Sequence, residues 1–370
     1  MPNTEQRNVL LFAEDPGAAN YLVPMLPHFE SHGVAASLFA CGPALSYLAQ
    51  HGLPHRPWLR KMGAAEELLA SAKPDLVIVG TSENKDGIGL HLVPLCRERG
   101  IPVIGAVDAF MNAAHRFKGN TDKTLAYAPD LLLVADPWTK DEYVRIGFDA
   151  QKIIICGHPM YERLDSEKAR LDKEGRETVM RRVCPLAGDR KVLVFMAELS
   201  GGLQAREFMR SADYTLPGRG GSDKRTNIIF EELLDALKEV SPRPFLVLRL
   251  SPKNSLDEFA AYTGEFDFIS EGGNHLEIIY LADAVVGMTS TAMLEAAALG
   301  RPALSILPRE SEKKWLPALA QGYLPCVCTR DALRRALPGL LSRDSAFLSP
   351  PRLAEILEFR FPEEILRKGF

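Results

Sequence analysis

Residues Ala282–Pro302, ADAVVGMTSTAMLEAAALGRP, decide how the rest of the chain is to be read. Ala284–Val286 is a short, valine-rich apolar run of the kind that forms a buried strand. The strand ends at Gly287. Thr289, Ser290 and Thr291 then open a helix of small residues, Thr291–Leu299, which stops at Gly300 before the next strand, Pro302–Ile306. The first N–H groups of such a helix have no internal partners and carry the positive end of its dipole, so they suit an anion. The hydroxyls add donors. Glu295, at i+4 from Thr291, lies on the same face, where its carboxylate can accept hydrogen bonds from a diol such as a ribose. Ala292 and Ala296–Ala298 let the helix pack close to a sheet. A plainer reading stands beside this one: Ser and Thr are ordinary caps, and Glu295 can be a solvated surface residue.

The same strand–loop–helix rhythm extends in both directions. Upstream lie apolar runs at Asn8–Ala13, Ala35–Ala40, Leu76–Val79, Pro102–Val107, Leu131–Val134 and Ile153–Ile155. Between them fall helical patterns at Ala18–Phe29, Leu45–Gln50, Ala64–Ala72, Ile88–Arg99 and Thr139–Ile146. A charged, helix-prone stretch, Glu162–Arg182, interrupts the rhythm. It resumes with strands at Val192–Phe195, Phe245–Leu250 and Phe266–Ile269 and helices at Thr226–Val240, His275–Leu281 and Ala332–Leu341. Continuously apolar strands alternating with helices imply parallel sheets covered on both faces. Two such series predict an α/β protein of two Rossmann-like doubly wound domains, residues 1–165 and 166–350. The stretch 351–370 is expected as a helical segment crossing back to the first domain.

Composition agrees. The chain has 370 residues, 46% of them hydrophobic, too many for one comfortable core. A net charge of −4 argues against a broadly basic nucleic-acid binder. No window of about 18 apolar residues free of charge is present, and the polar Met1–Asn8 does not read as a secretory signal. Six cysteines without a CxxC pair suggest reduced thiols in a cytoplasmic protein. Cys326 and Cys328 form the one close pair, and on a strand both thiols would share a face. No metal-ligand spacing is found.

In doubly wound sheets ligands gather at the carboxyl ends of the strands. In the first series, Glu14, Asp15 and Asp108 stand there and are candidate general bases; Asp15 can equally cap the following helix. In the second, Gly201 and Gly202 follow a strand and either let backbone approach a phosphate or form a plain flexible turn. Arg249 and Lys253 flank another strand end, either as diphosphate partners or as exposed surface charges. The glycine-rich, basic Leu216–Arg225 is either a loop that closes on a phosphate or a surface connection.

Ala282–Pro302 resembles the second-domain motif of GT-B-fold glycosyltransferases and of the related UDP-N-acetylglucosamine 2-epimerases. There a strand, a Gly-x-Ser/Thr turn, a helix bearing a Glu and a Gly-x-Pro exit form the nucleotide site. The matching residues are Gly287, Thr289, Ser290, Thr291, Glu295, Gly300 and Pro302. Ala128–Trp138 and Gly157-His158-Pro159 resemble the end of the first domain, where the family often has Gly-Asn-Pro. Leu248–Lys253 resembles a strand end that often reads R-x-H-P-K, with Ser251 in place of the histidine. The resemblance implies two domains facing a cleft, with a nucleotide-diphosphate sugar on the second and an unknown acceptor on the first. It implies metal-independent glycosyl transfer without a cofactor, the nucleotide sugar being the substrate. The ranked alternatives are 2-epimerisation, for which the family's His-Arg and Asp-Ser-Gly-Gly matches are lacking, and a non-catalytic nucleotide-sugar-binding protein.

Overall fold

The computed structural model describes residues 7–199, 205–251, 254–348, 353 and 357–367. The chain divides into two compact units, Met1–Arg163 with Glu355–Phe370, and Leu164–Ala354.

The first unit carries a seven-stranded parallel sheet. Its strands are β1 (Asn8–Ala13), β2 (Ala35–Ala40), β3 (Arg56–Pro57), β4 (Leu76–Gly80), β5 (Val103–Val107), β6 (Leu131–Val134) and β7 (Ile153–Ile155), in the order β3-β2-β1-β4-β5-β6-β7. β1 shows why both faces are covered. Val9, Leu11 and Ala13 point into one core with Tyr21, Leu22 and Phe29, while Leu10 and Phe12 point into another with Leu68, Leu92 and Val93. The second unit carries a six-stranded parallel sheet of β8 (Val192–Met196), β9 (Phe245–Arg249), β10 (Phe268–Ser270), β11 (Ala284–Gly287), β12 (Ala303–Ile306) and β13 (Cys326–Val327), in the order β10-β9-β8-β11-β12-β13. Two Rossmann-like parallel sheets flanked by helices make this a GT-B-like architecture.

Local chemistry altered several expected elements. The helix expected over Ala18–Phe29 is three pieces: Pro16–Leu22, a 3₁₀ turn Val23–Met25, and Leu26–Ser31. Pro24 and Pro27 lack the N–H groups that a continuous helix needs. The charged Glu162–Arg182 stretch is two helices, Met160–Glu174 and Arg176–Val183, parted at Gly175 with φ +84°. β3 and β13 are two-residue edge strands, too short to show a period. The helix after β11 begins at Ala292, one residue later than expected.

The chain's last described segment, 357–367, packs on the first unit. Phe359 and Ile365 enter its core, and the Arg360 N–H donates to the carbonyl of Cys156. This path explains Gly157. Its φ is +75°, and a Cβ there would lie 2.1 Å from the Glu358 carbonyl oxygen. Among the described residues, no helix is long and apolar enough to cross a membrane.

Candidate functional site

Each sheet has a point where strand order reverses, between β1 and β4 in the first unit and between β8 and β11 in the second. In doubly wound sheets the loops after such strands diverge, and ligands bind there.

At the first point, Glu14 directly follows β1 and is 3% exposed. Its Oε1 accepts from Arg60 Nη2 at 2.6 Å and from Cys41 Sγ at 3.4 Å, and its Oε2 accepts from the Gly89 amide at 3.2 Å. Asp108 directly follows β5. Its Oδ1 accepts from Arg116 Nη1 at 2.7 Å and from the Thr81 hydroxyl at 3.3 Å. Arg116 is buried; burial alone would depress its pKa, but the facing Asp108 carboxylate, with Tyr143 and Glu83, leaves it raised. Asp108 also lies so close to Gly17 that a Cβ there would be 2.0 Å from Oδ2, so Gly17 lets the first turn of the helix Pro16–Leu22 pass close to that carboxylate. Asp15 differs from both. It is the N-cap residue of Pro16–Leu22, yet its side chain makes no capping bond. It is half-buried, without a side-chain partner among the described residues. His115 sits on the short helix Ala113–Arg116, and His158 packs edge-on against Tyr21 with its Nδ1 accepting from the Met160 amide.

The second reversal point is occupied by Glu198, two residues beyond β8. Its Oε1 accepts from the amides of Met288, Thr289 and Ser290 at 3.2, 2.6 and 2.7 Å. Its Oε2 accepts from the Thr289 hydroxyl at 3.0 Å and from Arg225 Nη1 at 2.9 Å. The donors expected to hold a polyanion therefore hold an internal carboxylate here. Arg225 is fully buried, bonded also to Glu312 Oε2 at 2.6 Å and to Thr289 Oγ1 at 3.1 Å. Ser290 Oγ accepts from the Ala292 amide, and Thr291 is exposed without a side-chain cap.

Glu295 is 2% exposed, which removes the surface reading. Its Oε2 lies 2.6 Å from His275 Nε2, and its Oε1 has no hydrogen bond among the described residues. Arg249, at the end of β9, is 6% exposed. Its guanidinium reaches only neutral oxygens: Ser270 Oγ at 2.9 Å and the carbonyls of Gly272 and Gly273. No carboxylate pairs with it among the described residues, and burial lowers its pKa. A buried guanidinium without counter-charge is costly, and an anionic ligand relieves that cost.

Gly201, Gly202 and Lys253 lie outside the described residues. The Leu216–Arg225 stretch is pinned by internal carboxylates. The Gly218 amide donates to Glu232 at 2.7 Å, the Arg219 amide donates to Glu231 at 2.5 Å, and the Arg219 guanidinium pairs with Asp235 and Glu265. Sequence reasoning named neither Glu198, His275, Arg225 nor Glu312 as site residues. Arg225 ends the run GRGGSDKR, which looks solvated, and its carboxylate partners are 27 and 87 residues away, so no local spacing announces them.

No family model matches the chain, and no curated protein matches it in sequence. Solved structures do match in fold. UDP-GlcNAc 2-epimerase from Neisseria meningitidis, bound to UDP-GlcNAc, is similar with a TM-score of 0.64 and 12% identity over 96% of this chain and 95% of that one. The S. aureus MnaA–UDP co-structure gives 0.63 and 12% over 92% and 90%. Anabaena Alr3699/HepE in complex with UDP-glucose gives 0.62 and 11% over 95% of each. The fold is thus GT-B-like, in agreement with the resemblance of Ala282–Pro302.

Proposed function

We propose that the chain is an enzyme acting on a nucleotide-diphosphate sugar, with 2-epimerisation placed ahead of glycosyl transfer. The carrying observation is Arg249, a buried cation with no anionic partner among the described residues, beside the reversal point of the second sheet. The diphosphate supplies the missing charge. Glu295, buried with one oxygen unengaged, accepts from the ribose diol, and His275 holds that carboxylate in place. Thr289, Ser290, Thr291, Lys253, Gly201 and Gly202 remain the further phosphate-side candidates. Where the phosphate uses the amides of Met288–Ser290, it displaces Glu198. Asp15 is the leading general-base candidate because its carboxylate is uncommitted, whereas Glu14 and Asp108 are held by Arg60 and Arg116.

The order of the two chemistries rests on the fold neighbours, several of which are UDP-GlcNAc 2-epimerases, among them one bound to UDP-GlcNAc and one in complex with UDP-GlcNAc and UDP. In epimerisation a base removes the sugar C2 proton, the C1–O bond to the diphosphate breaks, and re-addition gives the C2 epimer. Glycosyl transfer is the second reading, favoured by the likeness to HepE with UDP-glucose and with UDP and glucose. Incubation with UDP-GlcNAc in D₂O without acceptor separates them. Deuterium at C2 and appearance of the epimer support the first. UDP release that requires an added acceptor, with no label at C2, supports the second. UDP binding without any turnover of either sugar leaves a non-catalytic binding protein.

A further inference from the structure

Arg301, just before β12, is a second cation that the fold leaves uncompensated. The side chain is half-buried, and its guanidinium lies over the ring of Tyr280, 4.9 Å from the centroid. Its Nε is shut off from solvent without a hydrogen-bond partner, and among the described residues no carboxylate pairs with it. Two more guanidiniums converge on the same place. Arg343 Nη2 donates at 3.4 Å to the carbonyl of Gly300, next to Arg301. Arg176 Nη2 donates at 2.6 Å to the carbonyl of Leu281, next to Tyr280, and at 3.0 Å to Asp283 Oδ2. Burial, and then the charges of Arg343 and Arg176, lower the pKa of Arg301. The nearby carboxylates are already committed. Asp283 Oδ2 also accepts from the Val192 amide at 2.8 Å, and Asp172 accepts from the Tyr280 hydroxyl at 3.0 Å and pairs with Lys168 at 2.6 Å. Arg301 and Arg343 are left as two positive charges without a carboxylate among the described residues. Cations at helix ends are ordinary, because the last carbonyls carry the negative end of the dipole. That accounts for Arg176 at the end of His275–Leu281 and for Arg343 just past Ala292–Ala298. It does not account for Arg301, whose side chain donates to no carbonyl among the described residues. Asp283 and Arg301 precede β11 and β12, so the cluster sits at the amino ends of the strands, whereas Glu198, Arg249 and Thr289 stand at carboxyl ends. Strands of four residues span about 13 Å, which separates this place from the nucleotide side.

We propose that Arg301, Arg343 and Arg176 form a binding site for a dianionic phosphate, either inorganic phosphate or a phosphate monoester. The charge count sets the ligand class. Two unpaired guanidiniums match a phosphate group that carries about −1.5 to −2 charges near pH 7, and a phosphodiester supplies only one. The side-chain chemistry sets it too. A guanidinium holds its N–H donors in a fixed fork that fits phosphate oxygens, and the Tyr280 ring supports the Arg301 fork from one face. Arg176 keeps Asp283 and still has N–H groups to offer, since a guanidinium carries five. A bound dianion offsets both the desolvation of Arg301 and the repulsion among the three cations.

The test is calorimetric titration of the full chain at low ionic strength with inorganic phosphate, glycerol 3-phosphate and dimethyl phosphate, with sodium chloride of equal ionic strength as the control. Both dianions should bind, and dimethyl phosphate at least about tenfold more weakly. Tighter binding of inorganic phosphate would mark the free ion as the ligand, and tighter binding of glycerol 3-phosphate would mark an ester; either supports the site. The same titrations are run in Arg249→Met, which removes the unpaired cation of the nucleotide side. Phosphate binding should persist there and weaken at least about tenfold when Arg301→Gln is added. Arg343→Gln, at an exposed position where folding is not at stake, should weaken it severalfold and decides the matter if Arg301→Gln does not fold. The proposal is overturned if the parent chain binds neither dianion, if dimethyl phosphate binds equally well, if Arg343→Gln leaves the affinity unchanged, or if Arg249→Met alone abolishes binding, which would assign the phosphate to the nucleotide side.

Discussion

Asp15 and Glu14 are neighbours in sequence with different duties. Glu14 is buried beneath three donors; Asp15 is half-buried with none among the described residues. Asp15→Asn should therefore leave the melting temperature almost unchanged while lowering turnover about 10²–10⁴-fold, the range for loss of a general base. Glu14→Gln should do the reverse at first order, destabilising the fold by about 1–3 kcal/mol as Arg60 and the Gly89 amide lose a charged acceptor. Equal loss of turnover in two equally stable variants would reject this division. Arg249 allows a similar separation. Arg249→Met removes a buried cation whose partners among the described residues are all neutral, so stability should hold or rise, while affinity for UDP in calorimetry should fall at least about tenfold. Unchanged affinity would remove the observation on which the nucleotide reading rests.

At the scale of elements, the charged helices Met160–Glu174 and Arg176–Val183 show what charge density in a connector does. Arg170 and Arg182 both reach Glu277 on the helix His275–Leu281, and both pair with Glu174. Burial works against ionisation of Glu277, but hydrogen bonds from Arg182 and Arg170 outweigh it and lower its pKa. A carboxylate with a depressed folded-state pKa contributes stability at pH above its ordinary value of 4.5. That contribution is lost as pH falls through the lower folded value. The melting temperature of Glu277→Gln should thus fall below that of the parent at pH 7, and the gap should close in acid below pH 4.5; a gap independent of pH would contradict the assignment. The loop after β8 is a second case. Glu198→Ala strips a carboxylate from three amides and from buried Arg225, which retains Glu312, so a loss of about 2–4 kcal/mol is expected. If a phosphate uses the vacated amides, UDP should raise the melting temperature more in this variant than in the parent; a smaller rise would place the phosphate elsewhere.

For the whole molecule, ligand linkage gives the broadest check. UDP that binds only the folded chain should raise the melting temperature with the logarithm of its concentration above Kd. Amide exchange should slow mainly in the second unit, near Arg249, Ser270–His275 and Gly287–Glu295. Protection confined to the first unit would redirect the search for the nucleotide. Much of the architecture could be read before any coordinates, because β4, β5, β8 and β9 are continuous apolar runs and such runs are stable only when covered on both faces. The candidate residues at strand ends followed from the same rule. Their environments did not. That Glu295 is buried on His275, that Arg249 has no counter-ion among the described residues, and that Glu198 fills the amide cradle beside Thr289 all depend on residues brought together from distant parts of the chain.

Hydrophobic periodicity and Gly-Pro punctuation are properties of short windows, so the alternating elements, the two sheets and the strand ends where chemistry gathers were legible in the residues alone. Hydrogen bonding and desolvation are properties of the assembled surroundings, so it took the three-dimensional arrangement to tell, among the described residues, the held carboxylates Glu14 and Asp108 from the unpartnered Asp15, and to leave Arg249 buried without an anion.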